Sequence, residues 1–150
     1  MLIKRLTFLF SLCCFTSVSQ AKNIDITHRD IIKTHIHNSA PQLFLYNKEG
    51  QLIHYSSRYF PAIKIAFNNK KHINGYSDQT EDLLKLINGD EKDFDHYDFT
   101  LFFVNMDENI GPCPPCRKQE KIIDKLKSKF KKVKINYHRI NIIQETYYID

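Results

Sequence analysis

An α/β fold is predicted for this chain, and three observations predict it. The C-terminal part carries a nearly unbroken apolar run over 99–105, a turn, an amphipathic helical pattern and a further strand-like run over 134–142. That succession is the pattern of a βαβ unit. Earlier, two short apolar runs over 42–46 and 51–55 flank Asn47-Lys48-Glu49-Gly50, which is a hairpin signal. Between these blocks, residues 78–88 place Leu83, Leu84, Leu86 and Ile87 at helical spacing.

Residues 1–21 read as a signal peptide: Lys4 and Arg5, an uncharged apolar stretch from Leu6 to about Val18, then Ser19-Gln20-Ala21. Cleavage is expected after Ala21. The stretch falls short of the roughly 20 apolar residues that span a bilayer, and no other segment approaches that length, so no membrane span is expected in the mature chain. An uncleaved anchor is a second reading of the leader. A lipid on Cys13 or Cys14 is a third, and Leu12 and Cys13 are poor matches for the small residue that precedes such a site. Removing the leader takes away two of the 22 basic residues and none of the 17 acidic ones, so the formal charge falls from +5 to +3.

What remains, residues 22–150, reads as one domain without repeats or a long linker. A helix is expected from Thr27 to about Ile36, with Thr27 as cap, Asp30 in the first turn and Ile31, Ile32 and Ile36 on one side. After the hairpin, 62–67 reads as a further strand, while Asn68-Asn69-Lys70-Lys71 and Asn74-Gly75 read as turns. The helix over 78–88 is expected to open with Ser77 or Asp78 as cap, with Glu81 placed to complete a capping box with Asp78, and to end at Gly89. Residues 90–98 form a polar stretch before the central strand 99–105. In the last helix Ile122, Ile123, Leu126, Phe130 and Val133 fall within an arc of about 100°. Nine Lys/Arg lie between Arg117 and Lys134, and they read as a solvated helix face. Without an accompanying aromatic or glycine-rich motif they do not indicate nucleic-acid binding.

Cys113-Pro114-Pro115-Cys116 opens that last helix, and its cysteines are the only two outside the leader. A close C-x-x-C pair with no spare thiol in an exported chain points to a redox centre. The reactive species of a thiol is the thiolate, which a helix N-terminus stabilises through free N–H groups and the positive end of the dipole. Two prolines suit the first turn, where missing N–H groups cost little. Arg117, Lys118 and Lys121 add positive potential, bringing Cys113 toward the range of about 3.5 to 7.5 open to such motifs.

The run Phe99-Thr100-Leu101-Phe102-Phe103-Val104-Asn105, with Gly111-Pro112-Cys113-Pro114-Pro115-Cys116-Arg117-Lys118-Gln119-Glu120, resembles the active-site strand and helix of the thioredoxin superfamily. The likeness is greatest to the periplasmic thioredoxins of cytochrome c maturation and related thiol reduction. It implies a central mixed sheet flanked by helices, with Cys113 attacking and Cys116 resolving. Two departures stand out: Pro112 occupies the place of the family's usual Trp, and the loop after the strand is about two residues longer. The residue behind the cysteines that would assist proton transfer therefore has two candidates, Asn105 by strand pattern and Asp107 by distance from Cys113. An ordinary polar loop role is open for each.

A second resemblance is out of order. Asn23-Ile24-Asp25, a short helix, Ser39-Ala40-Pro41-Gln42-Leu43-Phe44-Leu45-Tyr46 and Lys48-Glu49-Gly50-Gln51-Leu52-Ile53 are similar to the part of thioredoxin that normally follows the active-site half. That order implies a circularly permuted thioredoxin-like fold, with Ala40-Pro41 as a substrate-binding cis-proline loop beside Cys113. Under the other reading, Ala40-Pro41 to Ile53 is the N-terminal hairpin of periplasmic thioredoxins, the chain lacks the family's usual C-terminal elements, and Pro41 is trans and remote from the cysteines. The permuted order alone supplies a complete sheet from the residues present.

The function implied is thiol–disulfide exchange on protein thiols or disulfides of exported proteins, in the periplasm or outside the cell. It needs no cofactor or metal, and an upstream electron donor is a further implied partner. Pro-Pro between the cysteines resembles reducing members, so a reductase is expected rather than an oxidase. A thioredoxin-shaped scaffold with a structural disulfide is the alternative. A metal site joining His35 and His37 to the cysteines is disfavoured by the two prolines, and covalent haem by Arg117 after Cys116.

Overall fold

The structure is a computed structural model in which residues 22–145 are described. The expected signal peptide and the last five residues lie outside the described residues. Five strands form one mixed sheet: β1 (Lys22–Thr27), β2 (Gln42–Asn47), β3 (Leu52–Ser56), β4 (Phe99–Met106) and β5 (Ile135–Ile143). Their spatial order is β1-β5-β4-β2-β3. The first three in that order run parallel, β2 is antiparallel to β4, and β3 to β2.

Strand β4 is central, so both its faces need cover. Phe102 and Val104 join one apolar layer with Phe44, Tyr46, Ile140 and Ile142. Leu101 and Phe103 join the opposite layer with Leu43, Leu45 and Tyr137. The period of two along each strand produces this division. Helix α1 (His28–Ile31) and helix α3 (Ser77–Leu86) contribute to the first layer through Ile31, Leu83 and Leu84. Helix α2 (Ile63–Ala66) and helix α4 (Pro114–Lys129) contribute to the second through Ile63, Ala66, Ile123 and Leu126. The molecule is a mixed α/β sheet flanked by helices on both faces.

Several expected elements take a different form. Residues 62–67 are not a strand: Ile63 and Ala66 are buried while Ile65 is 65% exposed, a spacing of three that suits a helical turn. The first helix is shorter than expected. Thr27 does cap it, its Oγ1 accepting the Asp30 N–H at 3.1 Å, but Thr34 competes for the backbone by donating to the Ile31 carbonyl at 2.7 Å. The helix stops at Ile31 and Ile32 is exposed. Ahead of it, 22–27 form an edge strand held parallel to β5.

Asp78 and Glu81 form no capping box. Helix α3 starts at Ser77 without a side-chain cap, and Glu81 pairs instead with Lys85 at 2.7 Å. At its far end Asn88 takes the left-handed conformation, and Gly89 donates its N–H to Leu84 at 2.9 Å. A Cβ at Gly89 would come within 2.7 Å of the Asp93 carboxylate, so close approach is what this glycine provides. The capping box occurs one element later, between Asp90 and Asp93, where 91–96 form a 3-10 helix. It carries Phe94 into the core against Tyr46. Helix α4 ends at Lys129, and Phe130 leaves it to pack on Phe67.

Candidate active site

Cys113 sits at the N-cap of α4 with Pro114 and Pro115 in the first turn, and it is disulfide-bonded to Cys116. Their Cα atoms are 5.2 Å apart, the separation one helical turn provides. Cys116 is only 2% exposed, whereas Cys113 is half-buried and open to solvent on one side. The Cys113 Sγ accepts the Cys116 N–H at 3.3 Å. One orphan donor of the helix start is thereby aimed at the outer sulfur, where anionic charge is best stabilised. Of the surrounding cations, Arg117 lies nearest in sequence and pairs loosely with Glu108 at 3.7 Å.

Ala40 and Pro41 meet the cysteines from a distant part of the chain. The Ala40–Pro41 bond is cis, and the Ala40 carbonyl oxygen lies 4.0 Å from Cys113 Sγ across 73 residues of sequence. Gln42, fully buried, shapes this loop: its Nε2 donates to the carbonyls of Ser39 at 2.6 Å and His37 at 2.7 Å. One turn further along α4, the buried Gln119 accepts the Phe60 N–H at 2.7 Å and ties the loop after β3 to the cysteine helix. Ile110, three residues before Cys113, and Ile32 are both exposed and share a groove with His28 and Arg29.

Behind the disulfide is a small cavity of about 100 Å³ whose wall includes both cysteines. Asn105 and Asp107 both line it. Asn105 is buried on β4 and donates to Asn141 at 3.2 Å, which in turn donates to Asp25 at 3.0 Å. Asp107 accepts the Asn109 N–H at 2.8 Å and shapes the loop that leads to the cysteines. Glu120 and Arg139, paired with each other, complete the charged part of the wall. Sequence reading missed these two. Their signals were a carboxylate four residues after Cys116 and a charge on β5 at the parity of Ile135 and Tyr137. His35 stands apart, its N–H and Nδ1 both 2.8 Å from the Asp82 carboxylate on α3.

Comparison with models of known protein families, with curated proteins and with solved structures finds no match to this chain. Among the described residues, no helix is long and apolar enough to cross a membrane.

Proposed function

We propose that this chain is an exported thiol–disulfide oxidoreductase with a circularly permuted thioredoxin-like fold, acting on protein disulfides and working as a reductase. The observation that carries the reading is the asymmetry of the pair: a partly exposed Cys113 at a helix N-cap, bonded to a buried Cys116 one turn on. A disulfide that serves only as a staple has no need of a helix start aimed at one of its sulfurs. The antiparallel β2–β4 pairing and the Ala40 carbonyl beside Cys113 support the permuted order over the hairpin order. The exposed Ile32 and Ile110 line one groove that offers a partner segment apolar contact.

In the reducing direction the Cys113 thiolate attacks one sulfur of a partner disulfide. A mixed disulfide forms and the partner's other sulfur leaves as thiolate. The Cys116 thiolate then attacks Cys113 Sγ, the partner's second thiolate leaves, and the internal disulfide is restored. Two electrons pass to the partner, and an upstream dithiol donor returns them.

Alkylation of the reduced protein near neutral pH is expected to label Cys113 first. Cys116→Ser is expected to accumulate mixed disulfides with partner proteins, and Cys113→Ser is not. Slow, equal labelling together with a disulfide that resists millimolar dithiol would establish the structural-disulfide reading instead. Export is tested by N-terminal sequencing of protein from the exporting host, where Lys22 is the expected first residue.

A further inference from the structure

Strand alternation brings Arg139 to the face of the sheet that α4 covers. On β5, Ile135 and Tyr137 pack into the apolar layer beneath α4, and Arg139 follows them with the same parity, opposite Phe103 of β4. Its side chain is 28% exposed and pairs through Nη1 with the Glu120 carboxylate. Its Nε is buried without a hydrogen-bond partner among the described residues. Both members of this pair line the cavity whose wall also contains Cys113 and Cys116. Glu120 is four residues beyond Cys116 on α4, so the two share one face of the helix a turn apart.

We propose that Arg139 stabilises the thiolate of Cys116, and that Glu120 sets the strength of that effect by orienting and partly neutralising it. The inference rests on the oxidoreductase reading for its use, though not for its measurement. When an incoming thiolate attacks Cys113 Sγ, the Cys113–Cys116 bond breaks, a bond from Cys113 to the incoming sulfur forms, and the electron pair goes to Cys116 Sγ. Negative charge thus moves onto the sulfur of a residue that is only 2% exposed, where burial penalises an anion. The helix start does not supply the compensation, because its nearest N–H already points at Cys113.

The remaining charged groups of the wall are Asp107, Glu108 and Arg117. Glu108 and Arg117 are largely exposed and paired with each other, and Asp107 is an acidic side chain engaged with the Asn109 N–H. Arg139 is the shielded cation, and it carries a free donor.

The test isolates Cys116 in a Cys113→Ser background and titrates it by ultraviolet thiolate absorbance and by alkylation rate against pH. Arg139→Gln is expected to raise the Cys116 titration by about one pH unit, roughly a tenfold loss of thiolate at a fixed pH. Arg139→Lys is expected to recover part of that loss, because charge is kept while the planar fork is not. Glu120→Gln is expected to shift it the other way, since it unmasks the guanidinium. Shifts of the same sign, or none from either substitution, would overturn the inference. Should Arg139→Gln not fold, Glu120→Gln decides alone: a Cys116 thiol that titrates no lower than in the parent overturns it. The titration needs no partner protein. A protein that exchanges disulfides while its Cys116 ignores both substitutions loses this inference and keeps the oxidoreductase reading. A Cys116 that responds in a protein unable to exchange does the reverse.

Discussion

His138 makes folding stability fall between pH 6.5 and 4. It lies on β5, 3% exposed, stacked on Phe102 with ring centroids 5.0 Å apart, and neither ring nitrogen has a hydrogen-bond partner among the described residues. Burial pushes its imidazole down to about 4; Lys22, its neighbour on β1, adds to the shift and Asp93 opposes it. In the unfolded chain the same ring titrates near 6.5. Above that value both states are neutral there and His138 adds no pH dependence. As the pH falls below it, the unfolded chain binds a proton that the folded one refuses, and the folded state loses about 1.4 kcal/mol per pH unit. Near pH 4 the folded state protonates too and the loss stops, at a total of about 3–4 kcal/mol. His54, also lowered by burial, acts in the same direction. Asp30 and Asp82, both lowered from 3.8, lose their contribution only below that window.

The assay is urea unfolding at pH 7.5 and 4.5, on the parent protein and on His138→Leu. The parent is expected to lose about 2 kcal/mol more between the two conditions than the variant does. At pH 7.5 the variant is expected to be at least as stable, since an apolar side chain leaves no ring nitrogen unpaired. Parallel profiles for the two proteins, or a His138 imidazole that titrates near 6.5 by NMR in the folded state, would refute the reasoning.

Gly50 turns the β2–β3 hairpin with φ of 71°, and a Cβ there would lie 2.9 Å from the Phe94 ring. Gly50→Ala is therefore expected to cost about 1–3 kcal/mol in denaturant unfolding, from left-handed strain and displacement of Phe94. Tyr46 is fully buried and its hydroxyl meets Thr80 at 2.9 Å; Tyr46→Phe is expected to cost about 1 kcal/mol, read as a lower urea midpoint at unchanged m. Ile123, 1% exposed on the buried face of α4, is expected to cost about 2–5 kcal/mol as Ile123→Ala in the same measurement.

The βαβ unit and the hairpin were legible in the sequence because their patterns are local: an apolar run, a breaker, and a helical stripe of Ile123 and Leu126. The position of Cys113 at the helix start followed from the two prolines, which fit a first turn and little else in a helix. Residues 62–67 were misread because Ala62 to Phe67 is apolar enough for either period, and only the exposure of Ile65 separates them. The short first helix depended on Thr34 bonding back to Ile31, a side-chain choice that no spacing rule encodes. Phe94 was hidden in a polar stretch, and a single apolar residue has no period. Gln42, Gln119, Glu120 and Arg139 gained their roles only from partners far away in the chain, such as Phe60 for Gln119.

Strand β5 delivers two basic residues in succession, and their different fates explain why the cysteines lie where they do. His138 turns toward the layer of Phe102 and Ile140, finds no acceptor, and sheds its charge, which an imidazole does readily. Arg139 turns toward α4 and cannot shed its charge, because a guanidinium holds its proton in any protein environment. It is tolerated there because Glu120 is within reach and because the apolar layer is ending: Asn105 and Asn141 follow Phe103 and Arg139 on the same face. The α4 face therefore passes from apolar to polar toward the C-terminal ends of β4 and β5. That edge is where α/β sheets present their sites, and the chain leaving β4 sets Cys113 and Cys116 directly over it.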